Sequence, residues 1–360
     1  MEHSLDISSL LPVLAAFGLT PAKPPVPFGS GHINHTFLVH SFEGEKYILQ
    51  KINTQVFQKP EAIANNLSLA AKHLETHAPG YLFLTPVHTL TGDEMFVEAG
   101  EYWRLTVFVP NSMSINEATS PEQAYEAARQ FGLLARHLNG LSMNGFKATI
   151  PDFHNLTWRY QQFQQALDSS SESRKKEAAE CIQYFLRSKL IVDTYQVLLR
   201  NPDFPDRLMH HDTKINNVLL NTTSQKGLCV CDLDTLMPGK IISDVGDMIR
   251  TFVSPVSEES TDFEKISVRL EYYEALMNGY LSEMKYVLTP TEKDVLFFSG
   301  PFLVYMQGLR FLADFLNGDV YYPIRYPEHN LRRAQNQMVL LQKLFANEDQ
   351  LNVIIQDALA

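Results

Sequence analysis

The chain has 360 residues, which is enough for two or three domains and a large hydrophobic core. Its 45% hydrophobic fraction, with 22 Phe and 15 Tyr, excludes a disordered chain. Thirty basic residues stand against 41 acidic ones, a net charge of −11 that argues against nucleic acids and anionic membranes as main partners. Three cysteines are too few for a disulfide framework and indicate buried thiols in a reducing cytoplasm.

The first 109 residues are rich in strand signals. The N-terminal segment MEHSLDISSLLPVLAAFGL has the spacing of an amphipathic helix and lacks the basic start of a signal peptide. HTFLVHS and EKYILQKI, separated by Phe42-Glu43-Gly44, predict a hairpin. A helix is expected over Asn65–Glu75, and further strands over Tyr81–Leu90, Glu94–Val97 and Tyr102–Val109.

Beyond Pro110 the pattern becomes helical. Capping boxes at Ser120-Pro121-Glu122-Gln123 and Thr289-Pro290-Thr291-Glu292 open two helices, the first running through Leu138. Helical periods also fill 156–200, 261–286, 291–317 and 330–358, and no run of 18 apolar residues predicts a membrane span. Short strands are expected near 207–210, 218–220 and 228–231. The predicted class is therefore α+β, with a small β-rich lobe over 1–109, a hinge near 109–113 and a larger, mainly helical lobe over 110–360.

The stretch HHDTKINNVLL carries the strongest chemical signal. Asp212 is followed by Lys214 at two residues and Asn217 at five, and Asp232 follows a short apolar strand farther on. Phosphoryl transfer needs a carboxylate for the hydroxyl proton, a cation near the moving phosphoryl group, and oxygen ligands for Mg²⁺. The spacing matches the catalytic loop and metal-binding Asp of kinases. The sequence therefore predicts a kinase.

A second signal lies before the first hairpin, in Phe28-Gly29-Ser30-Gly31-His32-Ile33-Asn34. Gly29 and Gly31 let the backbone approach phosphates closely, as a glycine-rich loop over ATP does. Such a pair is common in ordinary turns, but its position at the head of a β-rich lobe favours the phosphate loop.

Together these motifs resemble the aminoglycoside phosphotransferase and choline kinase superfamily, whose members share a two-lobed protein-kinase-like fold. The resemblance implies use of ATP and Mg²⁺, with Asp212 as the base, Lys214 as the catalytic-loop lysine, and Asn217 and Asp232 as the metal ligands. It also implies nucleotide contacts from Gly29, Ser30, Gly31, Gln50 and, at an adenine-binding hinge, Phe108 and Val109.

Further blocks resemble the N-acetylhexosamine 1-kinases: GHINHTFLV, YILQKIN, DLDTLMPG, DVGDMIR, GLRFLADFLNGDVYY and YPEHNL. This narrower resemblance implies phosphorylation of the anomeric hydroxyl of N-acetylglucosamine or N-acetylgalactosamine, with sugar contacts from His32, Arg310 and Tyr321. Two alternatives stay open: a kinase for another small hydroxyl compound (choline, an aminoglycoside or methylthioribose), and a catalytically silent nucleotide- or sugar-binding module. The sequence does not fix the oligomeric state.

One strand departs from the superfamily pattern. Gln50 stands where a Lys or Arg is usual, with Lys51 one residue later on the opposite face of the strand. Either Gln50 contacts the nucleotide as a neutral group, or Lys51 reaches it through a bulge, or neither does. The helix that would offer a Glu to such a lysine carries Asn65 and Asn66 instead.

Several other polar residues have two readings. Asp232 and Asp234 alternate, so one of them is expected at the metal, and Asp232 is preferred on resemblance. His210 is expected to pin the loop, His211 to be exposed or near the sugar, and Asp244 to anchor the loop. Arg310 lies among apolar positions and needs a partner, either Asp314 or a ligand.

Overall fold

The computed structural model describes residues 10–29 and 33–360. Its helices are α1 Leu10–Ala16, α2 Pro60–His77, α3 Pro121–His137, α4 Leu156–Ser169, α5 Glu172–Glu177, α6 Ala179–Arg187, α7 Leu190–Leu198, α8 Ile241–Phe252, α9 Leu270–Met284, α10 Pro290–Asp294, α11 Leu296–Leu316, α12 His329–Ala346 and α13 Glu348–Leu359. Its strands are β1 Val26–Pro27, β2 His35–His40, β3 Lys46–Lys51, β4 Pro86–Val87, β5 Phe96–Glu98, β6 Glu101–Val107, β7 Ser112–Met113, β8 Arg207–Met209, β9 Val218–Asn221, β10 Gly227–Val230 and β11 Met237–Gly239.

The chain divides into two compact units. The first contains the described residues up to Ser112, together with 144–151 and 229–237. The second contains 113–143, 152–228 and 238–360. The predicted boundary after residue 109 stays a prediction. The first unit differs from the predicted lobe because it also contains 144–151 and 229–237, and the second of these segments carries Asp232.

The first unit is built on an antiparallel sheet in the order β1-β2-β3-β6-β4, with β5 also paired to β6. The predicted hairpin forms β2 and β3, with Phe37 opposite Leu49 and Val39 opposite Tyr47. Alternate residues of these strands point inward, as half-buried strands require. They pack with α1 into one core, whose buried residues are Leu10, Val13, Leu14, Phe17, Phe37, Val39, Leu49, Trp103 and Leu105.

Helices make up most of the second unit. The central helix α11 packs against α4, α8 and α12, and α3 packs against α9. The α3–α9 contact is very close: a Cβ added at Gly279 would lie 2.3 Å from the carbonyl oxygen of Tyr125. A larger residue at position 279 would therefore push these two helices apart.

Side-chain caps begin α3 and α10 where the sequence predicts them. Thr289 accepts from the amide of Glu292, and the Glu292 carboxylate accepts from the amide of Thr289, which is the full reciprocal box. At α3, Ser120 accepts from the amide of Gln123. The Gln123 side chain, however, accepts from the amide of Thr119 rather than that of Ser120.

Several predicted elements differ in extent. The strand expected over Tyr81–Leu90 shrinks to β4, because the preceding backbone closes turns, with the amide of Tyr81 donating to the carbonyl of Ala78. The helix expected from Asn65 begins at Pro60, whose missing N–H is no loss in the first helical turn.

Helix α11 has the length and mean hydropathy of a membrane span. The search for 18 consecutive apolar residues did not find it. In the fold, 83% of its most apolar window is buried, as in a central core helix.

The cysteines are free; Cys181 and Cys229 are buried, and burial raises the pKa of each thiol to about 12. Both thiols therefore stay protonated at neutral pH.

Candidate functional site

The loop that carries Asp212 follows β8 and is held by the start of α8. The Asp244 carboxylate accepts from the amides of His210, at 3.0 Å, and His211, at 2.7 Å. The Thr213 hydroxyl donates to the backbone carbonyl of Asp244 at 2.7 Å. Burial raises the pKa of Asp244 to about 6, against the opposing effect of His210 and these two amides. Asp244 therefore anchors the loop, as its position after the Pro-Gly turn indicated.

Asp212 is partly exposed and contacts both other polar members of its motif. Lys214 Nζ lies 3.1 Å from Asp212 Oδ1, and Asn217 Nδ2 donates to Asp212 Oδ2 at 3.0 Å and to the Asp212 carbonyl at 2.8 Å. Burial alone would raise the pKa of Asp212, but Lys214 and His210 outweigh it and hold the pKa below its usual value. The carboxylate is therefore ionised at neutral pH and can accept a hydrogen bond from a hydroxyl group.

A second charged group lies near this loop, in α8. Arg250 donates to Asp247 at 2.8 and 3.1 Å and also pairs with Glu258. Burial raises the pKa of Asp247, and the charge of Asp212 adds to that effect, while Arg250 opposes it. Asp247 is therefore a buried carboxylate paired with Arg250 of the same helix.

The proposed metal ligands Asn217 and Asp232 belong to different units. The side-chain nitrogen of Asn217 donates to Asp212, so the side-chain oxygen is the atom that could bind a metal. Asp232 has a left-handed backbone, with φ of 53°, and precedes the 3₁₀ turn Leu233–Thr235. No three His, Cys, Asp or Glu side chains among residues 10–29 and 33–360 cluster to hold a metal ion. A carboxylate oxygen and an amide oxygen are suitable ligands for Mg²⁺, which takes oxygen ligands and completes its shell with water and phosphates.

The predicted phosphate loop is only partly described. Gly29 has a φ of 82°, a left-handed conformation that suits glycine, and open space beside it. Ser30, Gly31 and His32 lie outside the described residues. Phe28 contacts Phe108 edge to face, with ring centroids 5.9 Å apart. The start of this loop and the predicted hinge therefore meet within the first unit.

The hinge residues follow β6. The amide of Phe108 donates to the carbonyl of Lys46, and the carbonyl of Val109 accepts from the Ser112 hydroxyl at 2.6 Å. Both residues are half-buried.

Gln50 and Lys51 leave β3 on opposite faces, because the pairing is regular: Gln50 is opposite Thr36 and Arg104, and Lys51 is opposite His35 and Trp103. Lys51 forms an ion pair with Glu101 and lies 5.8 Å from the Trp103 ring centroid. A bulge that brings Lys51 to the face of Gln50 is thus excluded.

A cation does lie beside Gln50 on its face of the sheet, but it is Arg104 of the neighbouring strand β6. Arg104, 4% exposed, donates to Gln50 Oε1 from Nε at 2.9 Å and from Nη2 at 2.7 Å. Its third contact is an ion pair with Asp234, itself 1% exposed. Sequence reasoning missed Arg104; the available signal was a basic residue within the apolar strand YWRLTVFV.

Asp234 and Asn66 tie the segment after β10 to the rest of the first unit. Asn34 Nδ2 donates to Asp234 at 2.7 Å, and Asn34 Oδ1 accepts from the amide of Asn53. From α2, the buried Asn66 donates to the carbonyl of Leu236 at 2.8 Å. The Asp234 carboxylate is therefore bound by Arg104 and Asn34. On α2, where a Glu could have paired with a strand lysine, Asn66 binds the carbonyl of Leu236 instead.

Arg310 and Tyr321 line a cavity of about 180 Å³ within the second unit. Asp314 is not the partner of Arg310, because its carboxylate accepts from three backbone amides (those of Val320, Tyr321 and Tyr322). Arg310 bonds to Gln307 and lies over the ring of Phe153, 5.5 Å from its centroid.

A second arginine, Arg159, lines the same cavity and bonds to Gln162 and the carbonyl of Phe153. Burial lowers the pKa of Arg159 to about 10, and the nearby Arg310 adds to that effect. Within the described part of the chain, no carboxylate forms an ion pair with Arg159 or Arg310. The cavity wall therefore carries two guanidinium groups and one carboxylate, that of Asp314.

The expectation for His211 is wrong in one respect: its side chain is buried, not exposed. Its Nδ1 lies 2.7 Å from the Ser243 hydroxyl, which also contacts His154, and the His154 ring stacks on Phe153. Burial holds the pKa of His154 well below its usual value. A continuous set of contacts thus runs from the Asp212 loop to the ring beneath Arg310.

The architecture defines a class, the proteins with a two-lobed kinase-like fold. The chain is similar to a microcompartment-associated aminopropanol kinase (17% identity; 96% of this chain and 98% of that one covered; TM-score 0.65). It is also similar to an amicoumacin kinase (16%; 94% and 94%; 0.62) and to the choline kinase of Cryptosporidium parvum Iowa II (13%; 98% and 99%; 0.58). At these identities the likeness concerns the fold, and it confirms the predicted α+β kinase-like class, with a small antiparallel-sheet lobe and a larger helical one.

The family follows from a separate match. Residues 25–283, more than two thirds of the chain, match the model of the phosphotransferase enzyme family, APH. The chain belongs to this family and is a phosphotransferase of the aminoglycoside phosphotransferase and choline kinase-like group.

Proposed function

We propose that the protein transfers the γ-phosphoryl group of ATP, with Mg²⁺, to the anomeric hydroxyl of an N-acetylhexosamine, N-acetylglucosamine or N-acetylgalactosamine. One observation carries the kinase chemistry: Asp212 is a partly exposed carboxylate with a lowered pKa, held by Lys214 and Asn217 on an anchored loop. The narrower sugar assignment rests on the sequence blocks that resemble the N-acetylhexosamine 1-kinases.

Asp212 orients the acceptor hydroxyl and takes its proton. The hydroxyl oxygen then forms a bond to the γ-phosphorus while the bond from that phosphorus to the bridging oxygen of ADP breaks. An anomeric hydroxyl is more acidic than an ordinary alcohol, so a weak base is sufficient. Lys214 keeps Asp212 ionised and places a positive charge beside the reaction. Most of the rate comes from positioning and charge neutralisation.

Asn217 and Asp232 would hold the metal through one amide and one carboxylate oxygen. Bound Mg²⁺ would neutralise charge on the phosphates of the nucleotide. We assign nucleotide contacts to the phosphate loop and hinge positions Gly29, Ser30, Gly31, Gln50, Phe108 and Val109.

We assign acceptor contacts to His32, Arg310 and Tyr321. The unpaired positive charge of Arg159 and Arg310 supports an uncharged, oxygen-rich acceptor such as a sugar. Two guanidinium groups stand against the one carboxylate of Asp314, which three backbone amides already engage, so the wall disfavours a cationic acceptor such as choline or an aminoglycoside.

Phosphorus NMR of the products from ATP, Mg²⁺ and each acceptor tests the proposal. The panel contains N-acetylglucosamine, N-acetylgalactosamine, choline, an aminoglycoside and methylthioribose. We expect a sugar 1-phosphate signal with either hexosamine, and ADP in equal amount. Phosphorylation of another panel member would replace the sugar assignment but keep the kinase. Thermal stabilisation by ATP or sugar without ADP release would indicate a silent binding module instead.

A further inference from the structure

Arg104 is a deeply buried cation on β6 of the first unit. Its side chain is 5% exposed and that of Asp234 is 2% exposed, so the ion pair between them is shielded from water. The two residues are 130 positions apart, on β6 and on the 3₁₀ turn after β10. The pair therefore fixes the turn to the centre of the sheet.

The turn held in this way begins immediately after Asp232. Asp232 has a left-handed backbone, a conformation that non-glycine residues keep only when their surroundings impose it. Asp234 is bound by Arg104 and Asn34, and Leu236 by Asn66. Bonds on its C-terminal side thus restrain the backbone that sets the direction of Asp232.

The other side of Arg104 reaches the strands that follow the phosphate loop. Gln50 accepts two bonds from the guanidinium group and donates to the Thr36 hydroxyl at 3.1 Å. Asn34, the last residue of the glycine motif, binds the same Asp234 carboxylate. One guanidinium group therefore links β2 and β3 to the segment of Asp232.

From this network we infer that Arg104 is a positioning residue for phosphoryl transfer, which holds Asp232 in its metal-binding direction through Asp234. The inference rests on the proposed function, because it takes Asp232 as a metal ligand. A role in stability alone would not require charge: well-packed apolar residues of similar volume often stabilise a buried site as well as an ion pair does.

A double-mutant cycle on the full-length protein separates the two roles. The variants are Arg104→Met, Asp234→Leu and the combination of both, with Lys51→Met as the matched control on the opposite face of the sheet. Two quantities are measured: the melting temperature, and the affinity for Mn²⁺ in the presence of ATP by electron paramagnetic resonance. Neither readout requires turnover.

Each single variant should melt earlier, because it leaves one buried charge unpaired. The double variant should recover melting temperature, since both charges are gone. Its Mn²⁺ affinity should stay at least about tenfold below the wild-type value, the scale expected when the partner of a metal ligand is lost. Lys51→Met should match the wild type in both measurements.

Arg104→Lys gives a second test in case the single variants fail to fold. The charge is kept but the planar contact to Gln50 is lost, so Mn²⁺ affinity should lie between those of the wild type and the double variant. Mn²⁺ affinity that returns with melting temperature in the double variant would overturn the inference and leave Arg104 a structural residue.

Failure of the wild-type protein itself to bind Mn²⁺ with ATP would be a different result. It would overturn the proposed function, and the inference with it. Normal binding by the wild type and by every Arg104 variant would overturn the inference alone.

Discussion

Two ion pairs, each between a basic residue and an aspartate, differ sharply in their exposure to solvent. Arg104 and Asp234 in the first unit are 5% and 2% exposed, whereas Lys214 and Asp212 in the second are 47% and 23% exposed. The buried pair has every contact within the protein. The open pair leaves room for water and for a substrate hydroxyl.

This difference indicates which pair can react. A proton acceptor must be able to reach its substrate, and the partly exposed Asp212 has an ionised carboxylate on an anchored loop, as its proposed role requires. Asp234 binds Arg104 and Asn34 and has no route to a substrate proton. Burial, more than the residue types, therefore separates the carboxylate that we propose to react from the one that we propose to position Asp232.

The largest expected effect is at the open pair. Asp212→Asn keeps the shape of the side chain but removes the proton acceptor, so kcat should fall by at least about a hundredfold, the scale of general-base removal. Melting temperature should hardly change, because the site is partly exposed. Asp206→Asn, at an exposed acidic residue that bonds to Lys240, is a matched control and should keep full turnover. Near-normal turnover of Asp212→Asn would contradict its assignment as the base.

The buried pair should show the reverse pattern, with a large effect on stability. Arg104→Met leaves the Asp234 carboxylate buried without its cation, which should lower the free energy of unfolding by about 3–5 kcal/mol. Lys214→Met, at the open pair, should lower it by less than about 1 kcal/mol. Urea unfolding of both variants measures the contrast, and equal losses would show that exposure does not distinguish the pairs.

Features formed by neighbours in sequence could be predicted. The hairpin follows from alternating apolar residues around a turn, and the loop motif is contained within the six residues from Asp212 to Asn217. The Thr289 cap likewise depends on four consecutive residues. In each case the relevant contacts are local, so the pattern in the sequence is the pattern in space.

The rest depends on distant partners. Gln50 meets Arg104 only because β3 pairs with β6 in one particular register, and Arg104 meets Asp234 across 130 positions. A one-residue change of register would have turned Lys51 toward that face instead. The His211 side chain likewise contacts Ser243 of α8, 32 positions farther along the chain. No pattern within a single segment carries this information.

A smaller effect concerns pH at the open pair. Because the pKa of Asp212 lies below its usual value, activity should persist as pH falls from neutrality and be lost only as pH passes through that lowered pKa. Lys214→Met removes the cation that lowers it, so the acid limb of the kcat profile should move to higher pH. An unchanged acid limb in this variant would show that Lys214 does not control the charge of Asp212.

The smallest effect is expected at Lys51, one residue from Gln50 but on the other face of β3. Its ion pair with Glu101 is open to solvent, and such pairs contribute about 0–1 kcal/mol. Lys51→Met should therefore change the free energy of unfolding by less than about 1 kcal/mol and leave the KM for ATP as it is. Urea unfolding and initial rates at several ATP concentrations provide both values. A severalfold rise in the KM for ATP would mean that Lys51 contacts the nucleotide, rather than the opposite face of the sheet that carries Gln50 and Arg104. The open cation Lys51, and not only the buried cation Arg104, would then have a role in the site.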